Sequence, residues 1–216
     1  MGKYYPDSKV EVTGAEAKHY DLLMNLMTLG KYSGFIKSVV KDMHIKPNDF
    51  ILDLGCGTGR NSCLMHKELS SEGKIIGFDI SPEMIEQYKK NCLVHNNIRF
   101  EEKRIDRDLG VNEEADKAFI SFVLHGFPHN VRLQVIDNVY KSLKTGGEFL
   151  ILDYNEFVLK DMPFYLRIPF TAMECKYAFD FLEKDWRAIL SDNGFGDFSE
   201  TVYFGKYVRL LRAKKM

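Results

Sequence analysis

The chain has 216 residues, of which 45% are hydrophobic and 28% charged, a composition that fits one soluble-type domain with its own core and excludes fibrous or low-complexity classes. Thirty basic residues against 31 acidic ones leave a net charge of −1, so there is no chain-wide field to gather nucleic acid. No apolar run approaches the roughly 20 residues of a membrane-spanning helix. The start, "MGKYYPDSKVEV", has no apolar signal segment, and Pro6 spoils a myristoylation motif after Met1-Gly2, so a cytoplasmic protein is expected. The four cysteines (Cys56, Cys63, Cys92, Cys175) form no C-x-x-C pair and show no zinc spacing; reduced thiols and no bound metal are expected.

Residues 1–18 read as polar and irregular. A helix follows from Lys18 to Leu29, with Leu22, Leu23, Leu26 and Met27 on one face and Gly30 as its stop. A second helix aligns Phe35, Ile36, Val39, Val40 and Met43. "HIKPND" is a turn and "FILDLG" a buried strand. Strands and helices then alternate: helix Asn61–Leu69, strand Lys74–Asp79, helix Pro82–His95, strand Ile98–Phe100, strand Ala115–Leu124, helix Arg132–Leu143 and strand Gly147–Tyr154. Such long crossovers demand a parallel sheet with helices on both faces. An aromatic-rich, irregular stretch, Asn155–Phe181, precedes a helix over Glu183–Ser191. "FSETVYFG" and "YVRLLRAK" are separated by Lys206 alone, which permits only an antiparallel hairpin. The four basic groups between Val208 and Met216 keep that terminal edge soluble. The division expected is a single domain, with a helical cap over 1–45, a cofactor-binding core over 49–154, a substrate-side lid over 155–182, and a helix and hairpin over 183–216.

The stretch "ILDLGCGTGR" puts Gly55, Gly57 and Gly59 just after a strand that holds Asp53. Without a Cβ, such backbone can approach a ligand at the strand end. The spacing is G-x-G-x-G rather than the dinucleotide G-x-G-x-x-G, and Arg60 stands where a P-loop would need lysine. Asp53 would repel a pyrophosphate but tolerates a cationic amino acid moiety. Asp79 ends the next strand, where a carboxylate accepts ribose hydroxyls, and "DISPEM" then opens a helix with Ser81 or Asp79 as cap and Pro82 in its first turn.

An alternating α/β unit closed by an antiparallel hairpin, with D-x-G-x-G-x-G in this position, resembles the class I S-adenosylmethionine-dependent methyltransferases. The likeness runs from about Asp49 to Arg212 and includes "SFVLHGF" and "LKTGGEFLILD". It implies a Rossmann-like, mostly parallel seven-stranded sheet and S-adenosyl-L-methionine as cofactor, released as S-adenosyl-L-homocysteine. It also implies cofactor contacts from Asp53, Gly55, Cys56, Gly57, Gly59, Asp79, Ile80, Met84 and Phe122, with Met84 packing on adenine. Where relatives carry an aspartate for the adenine amine, this chain has Lys103-Arg104-Ile105; Ile105 or Asp106 is expected to substitute, and an arginine there can stack on the base. No [DNS]-P-P-[FYW] tetrapeptide of the nucleic-acid amino methyltransferases is present.

"EAKHYDLLMNLMTLG" resembles the entry helix of the ubiquinone/menaquinone C-methyltransferases, which implies that Tyr20 lies over the cofactor. The aromatic stretch after Asp153 suits an apolar or aromatic small-molecule acceptor, with quinol-like C-methylation the leading expectation and passing membrane contact if that acceptor is a lipid. His125 is the expected base; Asp153 is a second catalytic candidate and His129 a weaker one. Two other readings stand beside this one. "DLGCGTGR" and "ECKYAFDF" also resemble arsenite methyltransferases, where three thiolates hold the metalloid, and a cofactor-binding regulator without turnover is the third reading.

Overall fold

The computed structural model describes Tyr5, Ser8 and residues 32–92 and 95–216. Tyr20 and the helix expected over Lys18–Leu29 lie outside the described residues. Helix α1 (Tyr32–Asp42) leads into β1 (Phe50–Leu54), then α2 (Arg60–Met65), β2 (Lys74–Asp79), α3 (Pro82–Cys92), β3 (Ile98–Glu102) and β4 (Ala115–Ser121). After them come α4 (His129–Ser142), β5 (Leu143–Tyr154), α5 (Phe164–Met173), α6 (Lys176–Leu182), α7 (Trp186–Asp192), β6 (Phe195–Tyr203) and β7 (Val208–Lys215).

The seven strands form one sheet in the order β3-β2-β1-β4-β5-β7-β6, parallel from β3 to β5 and antiparallel at β7 and β6. This is the doubly wound α/β sheet with a terminal hairpin that the alternation predicts. Every residue of "FILDL" in β1 is buried, because helices cover both faces of a central strand. Burial of each large apolar side chain there contributes roughly 1.5–3 kcal/mol. One apolar cluster joins Leu52, Leu54, Ile120 and Ile136 on one face, and another joins Ile36, Ile51, Phe119 and Leu150 on the other. The order in which strands are added reverses between β1 and β4, so the carboxyl ends of these parallel strands open a crevice where ligands bind in such sheets.

Three expectations need correction. Residues 155–182 are not irregular: they hold a tight helical turn (Leu159–Asp161) and the two helices α5 and α6. The aromatic run hid the helices because its apolar residues are not confined to one face; no residue of α5 is buried, and Phe164, Tyr165 and Ile168 are all more than 60% exposed. The strand expected to reach Leu124 stops at Ser121, since Phe122 adopts a left-handed φ of 53° and a tight turn, Leu124–Gly126, follows. Finally, Cys63 and Cys92 are joined as a disulfide, where free thiols were expected; Cys56 and Cys175 are free and buried. No described helix is long and apolar enough to cross a membrane.

Candidate functional site

The glycine loop sits at the switch point. Gly55, Gly57 and Gly59 have φ of 69°, 53° and 81°, a region that side chains seldom adopt. The amides of Gly55 and Cys56 both donate to the Phe78 carbonyl, which ties the loop across to β2. A Cβ on Gly55 would lie 2.7 Å from Val123, and one on Gly59 would lie 2.7 Å from Cys92 Sγ and 2.8 Å from Tyr88. Gly57 is different: a Cβ there would meet only Met84 Sδ, at 3.9 Å. Two glycines thus let the loop pack, and the third leaves open space beside Met84.

Asp79 organises the opposite wall. One of its oxygens accepts from the Gly57 amide at 2.8 Å, and the other accepts from Ile80 and Ser81 at 2.7 and 2.9 Å. The structure therefore brings Gly57, Asp79, Ile80 and Met84 together around one opening. Burial raises the Asp79 carboxyl above its ordinary range, and these three donors pull the other way.

Asp53, near the end of β1, is buried. Ser62 donates to it at 2.6 Å and itself accepts from the Tyr88 hydroxyl at 2.9 Å. Burial pushes the Asp53 carboxyl from 3.8 up to about 7; the Ser62 hydrogen bond opposes this and the Asp79 charge adds to it. A carboxyl that holds its proton more tightly when folded adds stability below its unfolded pKa, and that contribution is lost as pH rises through the folded one. The unfolding free energy should therefore fall between pH 3.8 and about 7. Asp53→Asn should flatten that slope and gain relative to the original chain at pH 8. Parallel slopes for both proteins in pH-resolved urea titrations would show that Asp53 is not the group responsible.

The adenine-side expectation changes character. Ile105 is buried in the core and its carbonyl accepts from Asn138. Arg104 does not stand free for stacking on a base: it grips both oxygens of Asp106, at 2.9 and 2.7 Å, and lies over the Tyr5 ring. Burial alone would raise the Asp106 carboxyl, but the Arg104 and Tyr5 hydrogen bonds hold it below its ordinary value. Tyr5 also packs edge-on against Phe127, and Ser8 donates to the Gly126 carbonyl at 2.6 Å. Tyr5 and Ser8, in neither helix nor strand, thus close over the β4 turn.

That turn carries His125. Its Nδ1 lies 2.7 Å from Asp153 Oδ1, its backbone amide donates to Asp153 Oδ2 at 3.1 Å, and its Nε2 stands 3.5 Å from Glu174. The Tyr154 hydroxyl donates to Glu174 at 2.6 Å. Burial lowers the imidazole pKa, but Asp153 and Glu174 outweigh it and the net shift is upward. Tyr154 and Phe181 flank the ring at 4.8 and 6.4 Å, with Phe122 and Phe170 against Tyr154. His129 begins α4 with a buried Nδ1 that has no hydrogen-bond partner among the described residues, and burial lowers its pKa.

Arg132, Tyr154 and Glu174 were not foreseen in this site. Arg132 had a readable signal, being a charge in phase with buried Val135, Ile136 and Val139 along α4. Glu174 had none, because the fold alone brings the end of α5 to β5.

Residues 45–194 match the family model described as "Methyltransferase domain". A demethylmenaquinone methyltransferase of Lactobacillus johnsonii is 31% identical over 147 residues, covering 65% of this chain and 58% of that protein. The chain thus spans little more than half the length of the first curated relatives it matches. Among solved structures, a SAM-dependent methyltransferase from Aquifex aeolicus superposes with a TM-score of 0.62 at 20% identity, covering 84% of this chain and 89% of that one. Magnesium protoporphyrin IX methyltransferase from Synechocystis, solved with bound SAH, gives 0.64 at 22% identity over 86% and 84% of the two chains. The open cradle at Gly57, the Asp79 carboxylate and buried Met84 fit such a cofactor.

Proposed function

The chain belongs to the methyltransferase-domain family, which takes its methyl group from S-adenosylmethionine, and from that premise we propose that it methylates a small aromatic acceptor of the quinol type at carbon. The observation that carries this reading is one imidazole held between two carboxylates inside an aromatic wall, at the carboxyl end of β4 and β5. When bound, S-adenosylmethionine supplies an electrophilic methyl group on a sulfonium. Gly57, Asp79, Ile80 and Met84 would hold it. The chain's other contribution is to place an acceptor against that opening and to take its proton.

A ring carbon is a weak nucleophile until the neighbouring hydroxyl ionises. His125 Nε2, which faces Glu174 at 3.5 Å, would accept that proton when the ring is neutral, because Nδ1 is occupied by Asp153. The aromatic wall formed by Phe122, Tyr154, Phe170 and Phe181 would stack on a flat acceptor and exclude water, which favours a reaction that disperses charge. A small molecule, not a nucleic acid, suits this enclosure. Names among the relatives support the quinol class, since the Lactobacillus johnsonii protein is a demethylmenaquinone methyltransferase.

Arsenite chemistry has weaker support: with Cys63 bonded to Cys92, Cys56 and Cys175 are the free thiols, one short of the three that hold the metalloid. The experiment is transfer of labelled methyl to a reduced naphthoquinol, run beside arsenite plus thiol. Label in the organic extract is expected. Label that follows arsenite and disappears in Cys175→Ser would overturn the proposal, and cofactor binding without transfer to any acceptor in a broad aromatic panel would favour a regulator.

A further inference from the structure

The cysteines form no C-x-x-C, but each bonded cysteine is followed three residues on by a histidine: "CLMH" at 63–66 and "CLVH" at 92–95. The fold sets cysteine against cysteine and histidine against histidine, with Cys92 next to Gly59 of the glycine loop. Cys63 and Cys92 have Cα atoms 5.7 Å apart, and the rings of His66 and His95 stack with centroids 4.0 Å apart. Cys63 is on α2 and His66 is one helical turn further, so they share a side. His95 donates its amide to the Cys92 carbonyl at 3.2 Å, a turn that folds it back beside its own cysteine. We propose that, once reduced, Cys63, His66, Cys92 and His95 form a four-coordinate site for a zinc-type divalent cation.

Two sulfurs and two imidazoles are a tetrahedral donor set that suits such an ion. A surrounding contact prepares one ligand. Asn97 uses its Nδ2 to donate to the carbonyls of Ser70 and Gly73, at 3.2 and 2.8 Å, which leaves Oδ1 facing His66 Nε2 at 2.7 Å. An oxygen there requires Nε2 to carry the proton, so the Nδ1 lone pair of His66 is free to bind. Metal-binding histidines are held in this way by a second hydrogen bond. His66, His95 and Cys63 are half-buried, which leaves an entry path, while Cys92 is buried against the Gly59 carbonyl at 2.9 Å.

As they stand the four residues do not surround a metal position, and the sulfurs are bonded to each other; reduction must come first, and the side chains then turn inward. An external dithiol that reduces the bond delivers two electrons and two protons, and itself becomes a disulfide. Two thiols result. A divalent ion then displaces both thiol protons as two thiolate bonds form, and the imidazoles bind as neutral ligands. Metal and disulfide are thus alternative clasps between α2, which follows the glycine loop, and α3, which carries Met84.

The test is anaerobic cobalt(II) titration of the full chain after reduction and passage over a chelator. Reduced protein is expected to develop a thiolate-to-cobalt charge-transfer band with the ligand-field bands of a tetrahedral site, saturating at one ion per chain and erased by zinc. Oxidised protein should stay colourless. His66→Ala and His95→Ala should each weaken binding by more than tenfold, and Asn97→Ala by about 10–100-fold, with S-adenosylhomocysteine binding checking that each variant is folded. No cobalt spectrum from the reduced original chain, or a spectrum unchanged in the double histidine variant, would overturn the site and leave a plain disulfide. The original chain alone decides the first outcome, so failure of a variant to fold does not protect the idea.

Discussion

Arg132→Met should cost about 3–5 kcal/mol of unfolding free energy, because it leaves three carbonyls without their donor at roughly 1–3 kcal/mol each. The guanidinium is fully buried and every arm is in use. Nε donates to the Leu124 carbonyl at 3.1 Å, Nη2 to those of His125 and Tyr177 at 2.8 and 2.5 Å, and Nη1 to Asp180 at 2.7 Å. Phe181 and Trp186 lie against its plane. Methionine fills similar space but strands three carbonyls away from water, and an unpaired buried acceptor is more costly than a lost hydrogen bond is worth. Lysine should not rescue, since a single ammonium cannot reach four acceptors in a fork. Asp180→Asn should cost within about 1 kcal/mol, because that carboxylate is well exposed. Urea titration would read the difference as a lowered midpoint at constant slope. A loss under 1 kcal/mol for Arg132→Met would mean the carbonyls find other donors.

His125→Ala should lower kcat by about 10²–10⁴-fold, the usual contribution of a positioned general base. The pH profile separates this role from a structural one. Burial lowers the His125 pKa, but the Asp153 and Glu174 charges raise it further, so it ends above the ordinary 6.5. A base works in its neutral form. The rate should therefore climb with pH through a value above 6.5, not below it. Glu174→Gln removes one raising charge and should slide that limb downward while KM for the cofactor stays unchanged. Asp153→Asn should slide it down as well and reduce kcat, because Asp153 also fixes the ring through Nδ1 and the His125 amide. The limb should vanish in His125→Ala. A variant that keeps the original limb at reduced kcat would show that His125 only supports the turn and that another group takes the proton.

The two effects share a cause. Arg132 holds the carbonyls of Leu124 and His125, and Asp153 holds the His125 amide and ring, so the turn that carries His125 hangs between α4 and β5. Neither helix nor strand geometry dictates the conformation of that turn. It begins with Phe122 in the left-handed region, a backbone state that persists only where surrounding contacts impose it.

Local rules were enough for the sheet and for half of the site. Alternating apolar runs and long crossovers determine a parallel sheet, and one intervening residue determines the terminal hairpin, because both follow from chain geometry over a few neighbours. The glycine loop and Asp79 belong to the same kind: each sits at a strand end, and strand ends can be read from hydrophobic patterning. The sequence by itself also placed His125 and Asp153 at strand ends; that the two strands are neighbours came from the sheet. Only the tertiary structure decided that they touch, that Glu174 faces the other ring nitrogen, and that Arg104 is taken up by Asp106 and Tyr5. Apart from Arg104 and Asp106, which are two residues apart, those pairings join residues tens of positions apart, and nothing in local backbone preference encodes them. Cys63 and Cys92 make the same point: their histidines are visible in the sequence at three-residue spacing, yet 29 residues separate the cysteines, and packing of α2 on α3 is what brings the four side chains near one another.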